Sequence, residues 1–84
     1  MERHEILIRT IDLLTENQYG TGFTEETVLS DIIEDSLDLL NAEVDIEMEF
    51  DLDIAASVLT DETTMAQLVD YIYESRRSIS DSQG

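Results

Sequence analysis

EVDIEMEFDLDI, residues 43–54, alternates acid and apolar side chains for twelve positions. Period two is the mark of a half-buried β-strand, whereas a helix repeats roughly every 3.6 residues. The residues just upstream, IIEDSLDLL at 32–40, have helical spacing and set one serine between two aspartates. A single helix starting at Ser36, with about 100° between successive residues, reconciles the two patterns. On it Leu39, Ala42, Ile46 and Phe50 fall in one stripe, and Leu37, Leu40, Val44 and Met48 in a second on roughly the opposite side. Asp38, Asp45 and Glu49 share one gap between the stripes; Glu43 and Glu47 share the other. The alternation is then two apolar stripes whose i, i+4 steps run two residues out of phase. A strand here needs a sheet, the flanks offer no partner strand, and a two-stranded ribbon is marginal in water. The pattern predicts a helix over residues 36–50, then a turn and a connecting segment, DLDIAASVLTDE at 51–62.

The flanks read as helical too. Leu7, Ile11 and Leu14, with Ile8 beside them, recur at i, i+4, i+7 and predict a first helix over residues 2–14. Asn17, Gly20 and Gly22 break it, so ENQYGTGFTEET at 16–27 reads as a loop, anchored into a core by Phe23, Val28 and Ile32. Thr63 or Thr64 can cap a closing helix that carries Met65, Leu68, Val69 and Ile72 at the same spacing. The segment SRRSISDSQG at 75–84 is polar and reads as a disordered tail, which leaves one domain over residues 1–74. No internal repeat stands out.

Composition narrows the function. With 84 residues and no cysteine, the chain has one modest core and neither disulfides nor thiolate metal ligands. No apolar run is long enough to span a membrane. The start, MERHEILIRT, has no basic region ahead of an apolar stretch, so no secretory signal is expected and a cytoplasmic location is. A net charge of −17 is the dominant global feature; the only cations are Arg3, Arg9, Arg76 and Arg77. Residues 31–53 hold ten acids and no base. Such a surface repels nucleic acid and anionic membranes and attracts basic protein surfaces. In a small bundle only one of the two stripes can face the core. The stripe Leu37, Leu40, Val44 and Met48 is therefore expected as a contact surface, with acids around it to steer a basic partner.

The DSLD motif of Asp35, Ser36, Leu37 and Asp38, the EMEFDLDI segment at 47–54 and the closing TTMAQLVDYI at 63–72 together resemble an acyl carrier protein. The resemblance runs from about Ile6 to Ile72 without a gap. It implies an all-α fold, a small four-helix bundle of the acyl-carrier type with a short third helix within residues 55–60. It also implies that Ser36 receives a 4′-phosphopantetheine arm from coenzyme A through a separate, Mg-dependent phosphopantetheinyl transferase. The thiol of that arm carries acyl groups as thioesters to the enzymes of fatty acid or polyketide-type synthesis, such as ketosynthases and acyltransferases, through their basic surfaces. Asp35, Leu37, Asp38, Leu40, Val44, Asp45, Glu47 and Met48 are then the residues that transferase and partners recognise. Leu39, Ala42, Ile46, Phe50, Leu68 and Ile72 form the core that shelters part of the acyl chain. The domain is expected as a monomer that catalyses nothing itself and holds no metal.

Physical chemistry is compatible with these roles. A serine at a helix start exposes its hydroxyl, and the backbone N–H groups there favour an added phosphodiester. Asp35 can cap the same helix with its carboxylate. Ser36 taken alone also reads as a plain capping serine. The sequence departs from the family at Ile33 and Glu34, where a glycine and a small or apolar residue usually stand. Asn41 takes a position often acidic, and Glu43 one usually apolar and partly inward. These departures bear on which transferase and pathway enzymes recognise the chain. Two alternatives follow: a regulatory or assembly subunit that keeps the carrier fold unmodified, and a peptidyl or aminoacyl carrier. Other classes fit worse. His4, the only histidine, is far along the chain from Ser36, so no general base is evident for nucleophilic catalysis. An EF-hand loop started at Asp45 would put Phe50 where glycine belongs and Ala56 where glutamate belongs.

Overall fold

A computed structural model describes residues 2–54, 59, 60 and 62–83, the last seven by backbone alone. The described residues form four helices and no strand: α1 (Arg3–Glu16), α2 (Leu29–Ile32), α3 (Ser36–Phe50) and α4 (Met65–Gln83). The domain is all-α. α1 lies against α4 and α3, and α2 against α3. The core between them gathers Ile6 and Leu14, Leu29 and Ile33, Ala42, Ile46 and Phe50, and Met65, Leu68, Val69 and Ile72.

The alternating segment is helical through Phe50. Asp35 caps α3, its Oδ1 accepting the Leu37 backbone N–H at 2.8 Å. At the other end Asp51 turns left-handed (φ 53°), and its N–H and that of Leu52 both reach the Glu47 carbonyl. Aspartate tolerates that conformation better than most residues. Arg76 of α4 donates to the Phe50 carbonyl at 2.8 Å. That bond satisfies an oxygen that the helix end leaves over. Leu52 and Ile54 then turn inward while Asp51 and Asp53 stay exposed, so the last part of the alternation is non-helical chain with its apolar side chains buried.

α1 differs from its expected face. Its buried residues are Ile6, Thr10 and Leu14, while Leu7 and Ile11 are half-buried and flank them. Thr10 can sit inside because its hydroxyl donates to the Ile6 carbonyl at 2.7 Å. No polar group is then left unpaired by its burial. Counting apolar residues alone passes over a satisfied threonine and rotates the predicted face.

The region between α1 and α3 holds the single turn α2, in a stretch that shows no helical period. Phe23 is buried and Val28 and Ile32 half-buried, but the deepest residues there are Leu29 and Ile33. Gly20 makes the approach close: at φ 155° a Cβ would run into Ile32 Cγ2. A two-sided clasp ties this region to α4. The Leu29 N–H donates to the Thr63 carbonyl at 2.9 Å and the Met65 N–H to the Thr27 carbonyl at 2.8 Å, forming an antiparallel bridge at Val28 and Thr64. Each side begins with the same turn. Thr27 Oγ1 accepts the Thr24 N–H at 2.8 Å, and Thr63 Oγ1 accepts the Thr60 N–H at 2.9 Å. FTEET at 23–27 and LTDET at 59–63 are thus equivalent pieces, a short repeat that the sequence reading passes over.

Thr64 caps α4 in a capping box, the reciprocal pairing of a cap residue with the third residue after it. Its Oγ1 accepts the Gln67 N–H at 3.2 Å, and Gln67 Oε1 accepts the Thr64 N–H at 3.0 Å. α4 continues past the expected boundary after Glu74 to Gln83, through the stretch read as a polar tail. The short third helix expected within residues 55–60 falls chiefly on 55–58, outside the described residues; Leu59 and Thr60 are not helical. Among the described residues the one short helix is α2.

Candidate functional site

Ser36 is the first residue of α3 and is exposed, as are Asp35, Leu37 and Asp38 around it. The Asp35 cap fixes the backbone, so Ser36 stands in the first turn, among the N-terminal N–H groups, of a fifteen-residue helix. Running away from it along α3 are four uncovered apolar side chains: Leu37 (64% exposed), Leu40 (58%), Val44 (50%) and Met48 (76%). Ala42, Ile46 and Phe50 on the opposite side are buried, as are Leu68 and Ile72 of α4. Leu39 of the same stripe is half-buried and packs against the core at its margin.

The acids beside the stripe are not equivalent. Asp38 is exposed. Asp45 is half-buried, and its Oδ2 accepts the Tyr19 hydroxyl at 2.6 Å, which fastens the loop after α1 to α3. That hydrogen bond favours the protonated phenol and, with burial second, pushes Tyr19 up to about 12. Glu47 is half-buried, and its Oε2 accepts the Ile54 N–H at 2.9 Å, holding the connecting segment against α3. Glu49 faces Arg9 of α1 at 3.6 Å. Two of the expected steering charges, Asp45 and Glu47, therefore also hold the fold together. Sequence reasoning missed Tyr19; its signal was a second aromatic, beside Phe23, in a glycine-containing loop of mostly polar residues.

At the far end of the stripe a cleft of about 370 Å³ opens between Val44, Met48 and Leu52, edged by Glu47, Asp51 and Asp53. Glu43, on the flank of α3 facing the core margin, is half-buried. Burial, and then the neighbouring Glu47, pushes its carboxyl above the ordinary value. Ile33, two residues before the Asp35 cap, is buried in the core and is part of the packing. Glu34 beside it is exposed.

The residues present fit a phosphodiester on Ser36. The hydroxyl is open to a large group. A helix N-terminus stabilises an anion by about 0.3–1 kcal/mol. Asp35 and Asp38 oppose it, but both are exposed and therefore screened. Among the described residues no group of three or more histidine, cysteine or acid side chains gathers to hold a metal ion, and no helix is long and apolar enough to cross a membrane. A comparison with protein-family models finds no match, and one with curated proteins finds none either.

Proposed function

We propose that the chain is an acyl carrier protein, with Ser36 bearing a 4′-phosphopantetheine arm on which acyl intermediates travel as thioesters. The observation that carries this reading is the juxtaposition at the head of α3. An exposed serine stands at a capped helix start, directly above an uncovered apolar stripe with acids on both sides. The serine supplies the hydroxyl for the phosphodiester. The stripe of Leu37, Leu40, Val44 and Met48 supplies an apolar centre for a transferase or an acyl-processing enzyme, and Asp38, Asp45 and Glu47 favour a basic approach. Substrates in this account are acyl groups of fatty acid or polyketide-type assembly.

Exposed Glu34, immediately before the cap, favours a second reading, a subunit that keeps the fold without the arm, because it adds a carboxylate where the transferase must dock. Incubation with coenzyme A, Mg²⁺ and a phosphopantetheinyl transferase separates the two: a carrier gains the mass of one arm, and the unmodified subunit does not.

A further inference from the structure

α1 leaves Ile8 48% exposed, although its neighbours Leu7 and Ile11 pack against the core. Ile8 and half-buried Leu13 lie in a groove of about 420 Å³ between α1 and α3. Glu5, Asp12 and Glu16 edge it from α1, and Glu49 edges it from α3. The one cation in its lining, Arg9, makes an exposed 3.6 Å contact with Glu49. Four carboxylates against one guanidinium leave an excess of negative charge beside and between the two apolar side chains. None of the lining residues belongs to the stripe below Ser36.

We propose that this α1–α3 groove is a second docking site, for a cationic amphipathic helix of a protein partner. Charge selects the occupant. A second copy of a chain carrying −17 is repelled, as are nucleic acid and anionic lipid, while lysines and arginines complement the rim. Two helices side by side form a groove that accepts a row of side chains from a third. Among the described residues the sole β pairing is the bridge at Val28 and Thr64, far from this groove in sequence, so strand addition is not the mode. Apolar residues up to two turns apart on the partner would cover Ile8 and Leu13, and cations between and beside them would meet Glu5, Glu16 and Glu49. Exposed ion pairs contribute little, so Arg9 can swing aside. The site requires no arm on Ser36.

The test is a titration of the isotope-labelled, unmodified full chain with a synthetic helical peptide of leucines at i, i+4, i+7 and lysines elsewhere. Backbone amide shifts are expected over residues 5–16 and at Glu49. Ile8→Ser should weaken that binding by about tenfold, the effect of losing one central apolar contact. Glu16→Lys should weaken it too, whereas Val44→Ser should leave it unchanged. Replacing the peptide's lysines with glutamates should abolish it. The amide spectrum of each variant reports whether its fold is kept. Shifts confined to residues 37–48, equal binding by Ile8→Ser and Glu16→Lys, or no binding at all would overturn the proposal. Because the unmodified chain is used, none of these outcomes bears on Ser36, and a bare Ser36 would not affect the groove.

Discussion

Glu43 shows how one side chain can set a pH dependence. Its carboxyl is raised above the ordinary 4.5 by burial and then by Glu47, so the folded state binds a proton more readily than the unfolded chain. A raised group contributes stability that is full below its unfolded value and is lost as pH rises through the folded one. Glu43→Gln should therefore stabilise the protein at neutral pH, and the gain should shrink to nothing as pH falls below that range. Urea unfolding of wild type and variant across the acid range measures it; a gain that persists at low pH would mean that desolvation of the charge is not the cause. In the sequence Glu43 stood out against the pattern that the chain resembles, but its half-buried state was not legible, because alternation alone does not say how far a flank residue turns inward. Thr10 carries the converse lesson: a polar letter concealed a core position because the backbone of its own helix satisfies it.

The helices were legible where both period and ends are written in the sequence. α3 begins at the serine after a capping aspartate and ends at Phe50, as the two-stripe reading requires. α2 was not legible, since one turn cannot display a period, and neither was the end of α4, where the apolar spacing stops but the backbone does not. Two experiments probe these elements. Thr64→Ala removes the Oγ1 acceptor from the capping box of α4. The loss should cost about 1 kcal/mol in urea unfolding. An unchanged midpoint would show that the clasp to Thr27 alone holds the helix start. On α3, Phe50 is fully buried and Val44 is half exposed on the other side. Phe50→Ala should cost about 3–5 kcal/mol. Val44→Ser should change stability by only about 0.5 kcal/mol, as surface substitutions do. The reverse ranking would exchange the two faces of the helix.

Taken as a whole, the chain folds against its own charge. Asp45 with Glu49 and Glu43 with Glu47 stand one turn apart on α3. Each such like-charged pair costs about 0.2 to about 0.5 kcal/mol. The few cations act as staples. Arg3 joins α1 to both Glu25 and Asp70, and Arg76 closes the end of α3. Added salt, or Mg²⁺ or Ca²⁺ at about the millimolar level expected of weak carboxylate sites, should raise the melting temperature; a melting curve indifferent to both would show that the acids are too dispersed to matter. The same acidity opposes self-association over the apolar stripe and the serine, which suits the proposed carrier role. That role stands or falls on Ser36. After incubation with coenzyme A, Mg²⁺ and a broad-specificity phosphopantetheinyl transferase, intact mass and a peptide map should show one arm, on Ser36, absent from Ser36→Ala. Glu34→Ala is the variant that eases transferase docking, since Glu34 is exposed, whereas Ile33→Gly would hollow the core. An arm on the Ser36→Ala chain, or wild type and Glu34→Ala both left bare by several transferases, would contradict the carrier account.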